Sequence, residues 1–91
     1  MKLDQPFPLG QVLATPTLLA EVGRSDILSA LNRHQWCDWG DVDAEDKKQN
    51  DWSVEHGERI LSSYRSATGT KFWIITERDR SSTTVLLPSD Y

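Results

Sequence analysis

The stretch from Arg59 to Pro88, RILSSYRSATGTKFWIITERDRSSTTVLLP, decides the fold of this 91-residue chain. It holds three runs rich in β-branched and aromatic residues, and such runs are typical of strands. The segment TGTK suits a hairpin turn through Gly69, and RDRSS forms a second short connection. Because consecutive strands with short connections pair antiparallel, we predict a three-stranded antiparallel meander. The middle run, KFWIITE, is apolar on both sides, so both faces of its strand should be at least partly covered.

The part of the chain before this stretch carries helix signals. Thr15 and Pro16 predict a helix with Thr15 as its N-cap and proline at its first position. Ser25 predicts the N-cap of a second helix. A third helix is predicted over residues 43–56, because Asp43 can cap it and acids fill its first turn, where the helix dipole favours negative charge.

These elements predict a single α+β domain in which the N-terminal helices pack on one face of the C-terminal meander. The segment GQVLAT could add a short N-terminal strand. Residues 1–8 hold two prolines and little periodicity, so we predict a loose arm there and one domain over residues 9–91. Apolar residues make up 37% of the chain, which is enough for one compact core.

Composition limits the classes of function. The chain has one cysteine, no apolar run of the roughly 18 residues that a membrane span needs, and no signal-peptide pattern, so we predict a cytoplasmic protein without cofactor or membrane partner. Its net charge of −4 argues against non-specific nucleic-acid binding. The charge is segregated: residues 38–58 carry eight acids against two lysines, whereas residues 59–91 carry five basic residues against three acids.

A metal site or catalytic centre would be sought in HQWCDWGDVDAED, residues 34–46. His34, Cys37 and His56 could supply three ligands, yet a structural zinc site normally needs four, and no spacing specifies this set. A reactive cysteine needs a cationic neighbour that lowers its pKa, whereas Cys37 is followed by Asp38 and further acids. We therefore predict no metal or catalytic residue, with His34 near helix-terminal carbonyls and Cys37 partly buried.

The tryptophans of the same region belong to the core or to a binding surface. A domain with so few large apolar residues should bury at least one of them. We predict Trp39 in the core and Trp36 partly exposed, with DWGD forming a corner at which Gly40 turns the backbone. Trp52 and Val54 are predicted to anchor one side of the third helix.

The segments GQVLATP, DWGD and GERILSSYRSATGTKFWIITERDRSSTTVLLPSDY together resemble a family of small bacterial proteins of unknown function, commonly labelled hypothetical or plasmid-related. The resemblance covers the chain from about residue 9 to its end. WIITERDRSSTTVLLPSDY carries most of its specificity, and DWGD alone is a weak signal. The resemblance implies a setting in mobile elements and bacterial chromosomes, and it implies glycine at the position of Cys37. It implies no activity.

We predict a non-enzymatic protein-interaction module of a bacterial mobile element, which presents its acidic helix to a basic partner surface. Charge complementarity would speed the encounter, and a tryptophan would supply the tight contact. One form of this function is inhibition of a host nucleic-acid-binding protein. The predicted partner-binding residues are Trp36, Asp43, Glu45, Asp46, Asp51, Trp52 and Glu55.

Two alternatives stay open, a small metal- or cysteine-dependent enzyme and a nucleic-acid-binding sheet. The second would use five basic residues and three aromatic residues of the meander region, namely Arg59, Arg65, Lys71, Arg78 and Arg80 with Tyr64, Phe72 and Trp73. We expect a monomer or a weak homodimer, since an exposed edge strand can pair with a second copy.

Overall fold

The chain folds as an α+β domain, which confirms the predicted class. A computed structural model describes residues 5–91, and within them it places four strands, three α-helices and a 3₁₀ turn. In chain order these are β1 (Gln11–Ala14), α1 (Pro16–Glu21), α2 (Arg24–Gln35), α3 (Ala44–His56), β2 (Ile60–Arg65), β3 (Lys71–Thr76), β4 (Ser82–Leu86) and the 3₁₀ turn Pro88–Asp90.

The sheet differs from the predicted three-stranded meander. It has four strands in the order β1-β4-β3-β2 and is mixed. β2, β3 and β4 pair antiparallel in succession, and β1 adds to the far side of β4 as a parallel edge strand, with Gln11 opposite Ser82 and Ala14 opposite Val85. The description as a three-stranded meander was wrong in extent: β2, β3 and β4 form the antiparallel succession, and the possible N-terminal strand is present as β1. The parallel pairing of β1 with β4 was not predicted, because the two strands are distant in the sequence and no local pattern signals it.

The helix boundaries follow the predicted caps at two of three N-termini. The Thr15 hydroxyl accepts a hydrogen bond from the Leu18 amide (3.3 Å), and Asp43 accepts one from the Asp46 amide (2.8 Å). The prediction of Ser25 as the second N-cap was wrong. Gly23 holds that position with extended backbone angles, so α2 begins one residue before Ser25.

Two apolar clusters form the core. The larger one lies between α1, α2 and one face of the sheet, and includes Leu18, Leu31, Phe72 and Ile74. The smaller one is built by Phe7, Trp39 and Ile60, with Cys37 and Val54 packed against it.

The predicted N-terminal arm is partly described. Residues 1–4 lie outside the described part of the chain. Phe7 is buried: its ring lies 6.1 Å from that of Trp39, and its amide donates to the Gln35 carbonyl (3.2 Å).

The outer edge of β2 is covered by groups that continue its hydrogen bonding. The Asn50 side chain donates to the Leu61 carbonyl (2.8 Å) and accepts from the Leu61 amide (3.3 Å), as a neighbouring strand would. Two positions further on, the Ser63 amide donates to the Trp39 carbonyl, and the Ser63 carbonyl accepts from the Asp41 amide. Edge strands are prone to unwanted pairing, and this cover pairs the outward backbone groups of Leu61 and Ser63.

Gly40 permits that close approach. Its φ is +71°, and a Cβ there would overlap the Ser63 carbonyl oxygen and lie 2.7 Å from the Tyr64 ring. Only glycine fits this position without displacement of the strand. Within residues 5–91, no helix combines the length and apolar character required to cross a bilayer.

Candidate partner-binding surface

Helix α3 is held to the domain by two buried polar side chains and by Val54, which packs against the smaller apolar cluster as predicted. Asn50 and Ser53 are its buried residues, and Val54 is half-buried. The prediction that Trp52 anchors the helix was wrong, since this side chain is 48% exposed. The reason is that the inward side of the helix meets the polar edge of β2, which Asn50 satisfies with hydrogen bonds and an indole could not.

The outward side of α3 carries an exposed aromatic pair. The Trp52 ring stacks on the His56 ring, with centroids 4.1 Å apart and planes 10° from parallel. His56 lies one helical turn after Trp52, and its Nδ1 is 2.8 Å from the Trp52 carbonyl oxygen. This contact positions the imidazole against the indole. The indole therefore packs on the imidazole with one face while nearly half of its surface is exposed.

Polar residues surround this aromatic pair. An open depression of about 340 Å³ is lined by Glu45, Lys48, Gln49 and Trp52, which lie on one side of a helix because of their spacing. Glu45 and Glu55 are exposed, and neither forms a hydrogen bond or ion pair through its side chain within residues 5–91. We call the surface formed by Glu45, Trp52, Glu55 and His56 the outer α3 surface.

The other predicted acids have different surroundings. Asp43 is the N-cap of α3. Asp51 accepts a hydrogen bond from Trp39 Nε1 (2.9 Å) and lies 3.6 Å from Lys47 Nζ, so it supports the buried indole. Asp46 faces the sheet. The acidic helix therefore presents its carboxylates in three directions, which net charge along the sequence does not reveal.

Trp36 and Trp39 take the predicted positions. Trp39 is 3% exposed in the smaller core cluster, and Trp36 is 45% exposed at the C-cap of α2. Trp36 does not line the depression that contains Trp52.

A second concavity, not anticipated from the sequence, lies between the start of α3 and the sheet face opposite the larger cluster. Its volume is about 300 Å³. We call it the acidic groove, and the residues that characterise it are Asp41, Asp43, Asp46, Ser63, Lys71 and Trp73. The alternation of β2 and β3 could have placed Ser63 and Trp73 on one face, but only the Gly40 corner brings the aspartates to them.

His34 is fully buried, which corrects its predicted position near helix-terminal carbonyls. Its Nδ1 lies 2.5 Å from the Ser62 hydroxyl and its Nε2 lies 2.8 Å from the Thr76 hydroxyl. Burial, with a smaller effect of the nearby Arg80 charge, lowers the pKa of His34 to about 3, so the ring is neutral. The Ser62 and His34 pair resembles a nucleophile and base only in distance, since both side chains are closed off from solvent.

Cys37 occupies the left-handed position that ends α2. Its φ is +67°, its amide donates to the His34 carbonyl (3.0 Å), and the Asp38 amide donates to the Arg33 carbonyl (2.8 Å). This hydrogen-bond pair is the Schellman motif, in which glycine is the usual residue. Burial, together with the Asp51 charge, raises the pKa of the half-buried thiol. Within residues 5–91, no group of three or more His, Cys, Asp or Glu side chains is arranged to hold a metal ion.

Most residues of the alternative nucleic-acid-binding surface are buried in the core or pair with other groups of the protein. Tyr64 and Phe72 are buried in the core, and Trp73 is half-buried. Arg80 donates to carbonyls at the end of α3, including that of Ser53 (2.8 Å). Three further basic side chains lie near acids: Arg59 near Glu77 (3.9 Å), Arg65 near Asp41 (3.7 Å) and Arg78 near Glu58 (3.6 Å).

Comparisons with protein-family models, curated proteins and solved structures found no match to the chain.

Proposed function

We propose that the protein is a non-enzymatic interaction module that binds a basic protein surface through the outer α3 surface. The observation that carries the proposal is the stacked and exposed Trp52. An indole that is ordered before binding loses little conformational entropy on contact, and tryptophan is among the residues that most often dominate interface energies.

Charge supports the choice of partner. Glu45 and Glu55 flank Trp52 on the exposed side of α3, and neither forms an ion pair with a described residue, so with Lys48 in the same depression the three residues have a net charge of −1. Rim charges of this kind mainly accelerate association with an oppositely charged surface, while the central aromatic residue slows dissociation. Asp43 and Asp51 add negative charge to this part of α3, but Asp43 caps the helix and Asp51 accepts a hydrogen bond from Trp39.

The proposal includes two further statements. The protein belongs to a bacterial mobile element, and it inhibits a host nucleic-acid-binding protein. The setting depends on the family resemblance. The inhibitory role follows from the way an acidic surface can compete for a cationic nucleic-acid-binding site.

Affinity capture from a bacterial lysate, with the captured proteins identified by mass spectrometry, tests the proposal. We expect the intact protein to retain a basic protein whose capture falls as salt rises. Trp52→Ala should reduce capture at least about tenfold, as expected for a central aromatic anchor. Glu45→Lys with Glu55→Lys should slow association.

Two variants serve as controls. Glu21→Lys makes one charge reversal of the same kind at an exposed position of α1 and should leave capture unchanged. Trp36→Ala removes an indole of similar exposure at the C-cap of α2 and tests whether the partner-binding surface extends to Trp36. Capture that survives both Trp52→Ala and the double lysine variant would show that the partner binds elsewhere.

A further inference from the structure

We infer that the acidic groove is a binding site for a guanidinium group. The inference goes beyond the proposed function, because the groove faces the sheet and shares no residue with the outer α3 surface. Its volume of about 300 Å³ is at the lower end of ligand pockets, so it suits one side chain or a molecule of that size.

The floor of the groove holds a polar atom without a partner. Ser63 is 3% exposed, and its hydroxyl forms no hydrogen bond within residues 5–91. Buried hydroxyl groups almost always have a partner, because leaving one unpaired has a free-energy cost. Ser63 lines the groove, and rotation of its side chain toward the groove would offer the buried oxygen to a donor that enters there.

The walls of the groove favour a cation. Asp41, Asp43 and Asp46 contribute three carboxylates, and Lys71 contributes one positive charge, so the lining has a net charge of −2. Asp41 lies 3.7 Å from Arg65 and Asp43 accepts from the Asp46 amide, but each carboxylate has further lone pairs. The Asp46 carboxylate forms no hydrogen bond or ion pair with a described residue.

Trp73 identifies the kind of cation. Its side chain lines the groove and is half-buried, and Tyr91 packs edge-on against its ring at 5.8 Å. A guanidinium is flat and weakly hydrated, it stacks on aromatic faces, and it offers five N–H donors to a set of acceptors. A compact ammonium would use fewer of the available oxygens.

Lys71 is the residue that discriminates between ligand charges. It lies in the groove and is exposed, and it forms no ion pair with the described acids. If the ligand is a cation, removal of this charge must tighten binding; if the ligand is an anion, the same change must weaken it.

Titration of the full chain with ethylguanidinium, followed by backbone and indole NMR shifts, tests the inference. We expect saturable shifts at Trp73 and at residues 41–46, with a dissociation constant of about 1 mM. Butylammonium should bind more weakly. A blocked peptide, acetyl-Gly-Gly-Arg-Gly-Gly-amide, distinguishes the two sources of the group. Tighter binding of the peptide indicates an arginine of a protein, and equal binding indicates a small guanidine, and both outcomes support the site.

Variants complete the test. Asp46→Asn and Ser63→Ala should each weaken ethylguanidinium binding roughly threefold or more, and Lys71→Gln should strengthen it by a similar factor. Ser63→Ala should not lower the melting temperature, because it removes an unpaired hydroxyl. Glu45→Gln, on the outer α3 surface, should have no effect. The inference is overturned by absence of saturable shifts, by unchanged affinity in both Asp46→Asn and Ser63→Ala, or by weaker binding to Lys71→Gln. None of these results depends on whether Trp52 captures a protein.

Discussion

The buried histidine shows how a single residue can be fixed in one protonation state. The Thr83 hydroxyl donates to the Leu9 carbonyl (2.7 Å), so it must accept from Thr76 (2.8 Å). Thr76 then has no proton left for His34 and accepts from Nε2–H instead. The remaining ring nitrogen, Nδ1, accepts from the Ser62 hydroxyl. With the protons placed in this way, every group in this series of hydrogen bonds has a partner and the imidazole is neutral.

We predict that His34 makes the protein less stable as the pH falls from 6.5 to 4.5. The pKa of His34 is about 3 in the folded state against 6.5 in the unfolded chain, so the unfolded chain binds about half a proton more at pH 6.5 and almost one proton more by pH 5. The slope of the free energy of unfolding should therefore steepen from about 0.7 kcal/mol per pH unit at pH 6.5 to about 1.4 kcal/mol per pH unit near pH 5. Urea unfolding at successive pH values measures this slope.

The matched control for this prediction is His56→Gln, which replaces the exposed histidine and leaves the hydrogen bonds of His34 to Ser62 and Thr76 in place. NMR of the imidazole nitrogens gives an independent readout, with Nε2 protonated and no titration of His34 above pH 4.5. A His34 signal that titrates near pH 6.5 would contradict the prediction.

Cys37 gives a second prediction at this scale. Because its φ is +67°, Cys37→Gly should relieve about 1 kcal/mol of backbone strain, whereas Cys37→Ala keeps the strain. We expect the glycine variant to be more stable than the alanine variant by about 1 kcal/mol in chemical unfolding. In a helix interior, alanine is more stabilising than glycine. A Cys37→Ala variant more stable than Cys37→Gly would therefore show that this position is not left-handed.

At the scale of elements, the edge of β2 depends on α3 and on the DWGD corner. Asn50 covers Leu61, and the backbone of residues 39–41 covers Ser63. The same corner brings Asp41 to the acidic groove, so the geometry of the groove depends on Gly40.

We predict that Gly40→Ala destabilises the protein by about 3–5 kcal/mol, because the added methyl group meets the Ser63 carbonyl and also strains the backbone. Gly69→Ala is the matched control. Gly69 has a φ of +89°, but no atom lies within 4 Å of the point that an added methyl group would occupy, so only the backbone strain of about 1–2 kcal/mol applies. Thermal unfolding of both variants measures the difference, and equal losses would disprove the steric contact.

At the scale of the whole molecule, Asp90 joins the C-terminal 3₁₀ turn to the start of α1. Its carboxylate accepts hydrogen bonds from the hydroxyls of Thr15 (2.6 Å) and Thr17 (2.5 Å) and from the Leu87 amide (3.0 Å). These hydrogen bonds, that of Thr15 first, lower the pKa of Asp90. The stabilisation that these hydrogen bonds give is therefore fully present above the pKa that Asp90 has in the unfolded chain. It is lost as the pH falls through the lower pKa of Asp90 in the folded state.

We predict that Asp90→Asn lowers the melting temperature at pH 7 and accelerates hydrogen exchange of the Thr15 amide, which is bonded to the Val85 carbonyl. Asp79→Asn is the matched control. Asp79 is also an exposed aspartate with a lowered pKa, but its partner is Ser81 in the same loop. It should leave exchange at Thr15 unchanged. Equal effects of the two variants would show that Asp90 does not tie β1 to the C-terminal segment.

The sequence by itself determined the local features: the caps at Thr15 and Asp43, the hairpin at Gly69, the α+β class and the inward position of Trp39. These depend on backbone preferences and on alternation of apolar residues, which act between neighbours along the chain. Tertiary structure alone decided the parallel pairing of β1, the exposure of Trp52, the burial of His34 and the meeting of Asp41, Ser63 and Trp73. Each of these depends on which surfaces from distant segments face each other, and the free energy of such contacts leaves no periodic trace in either segment.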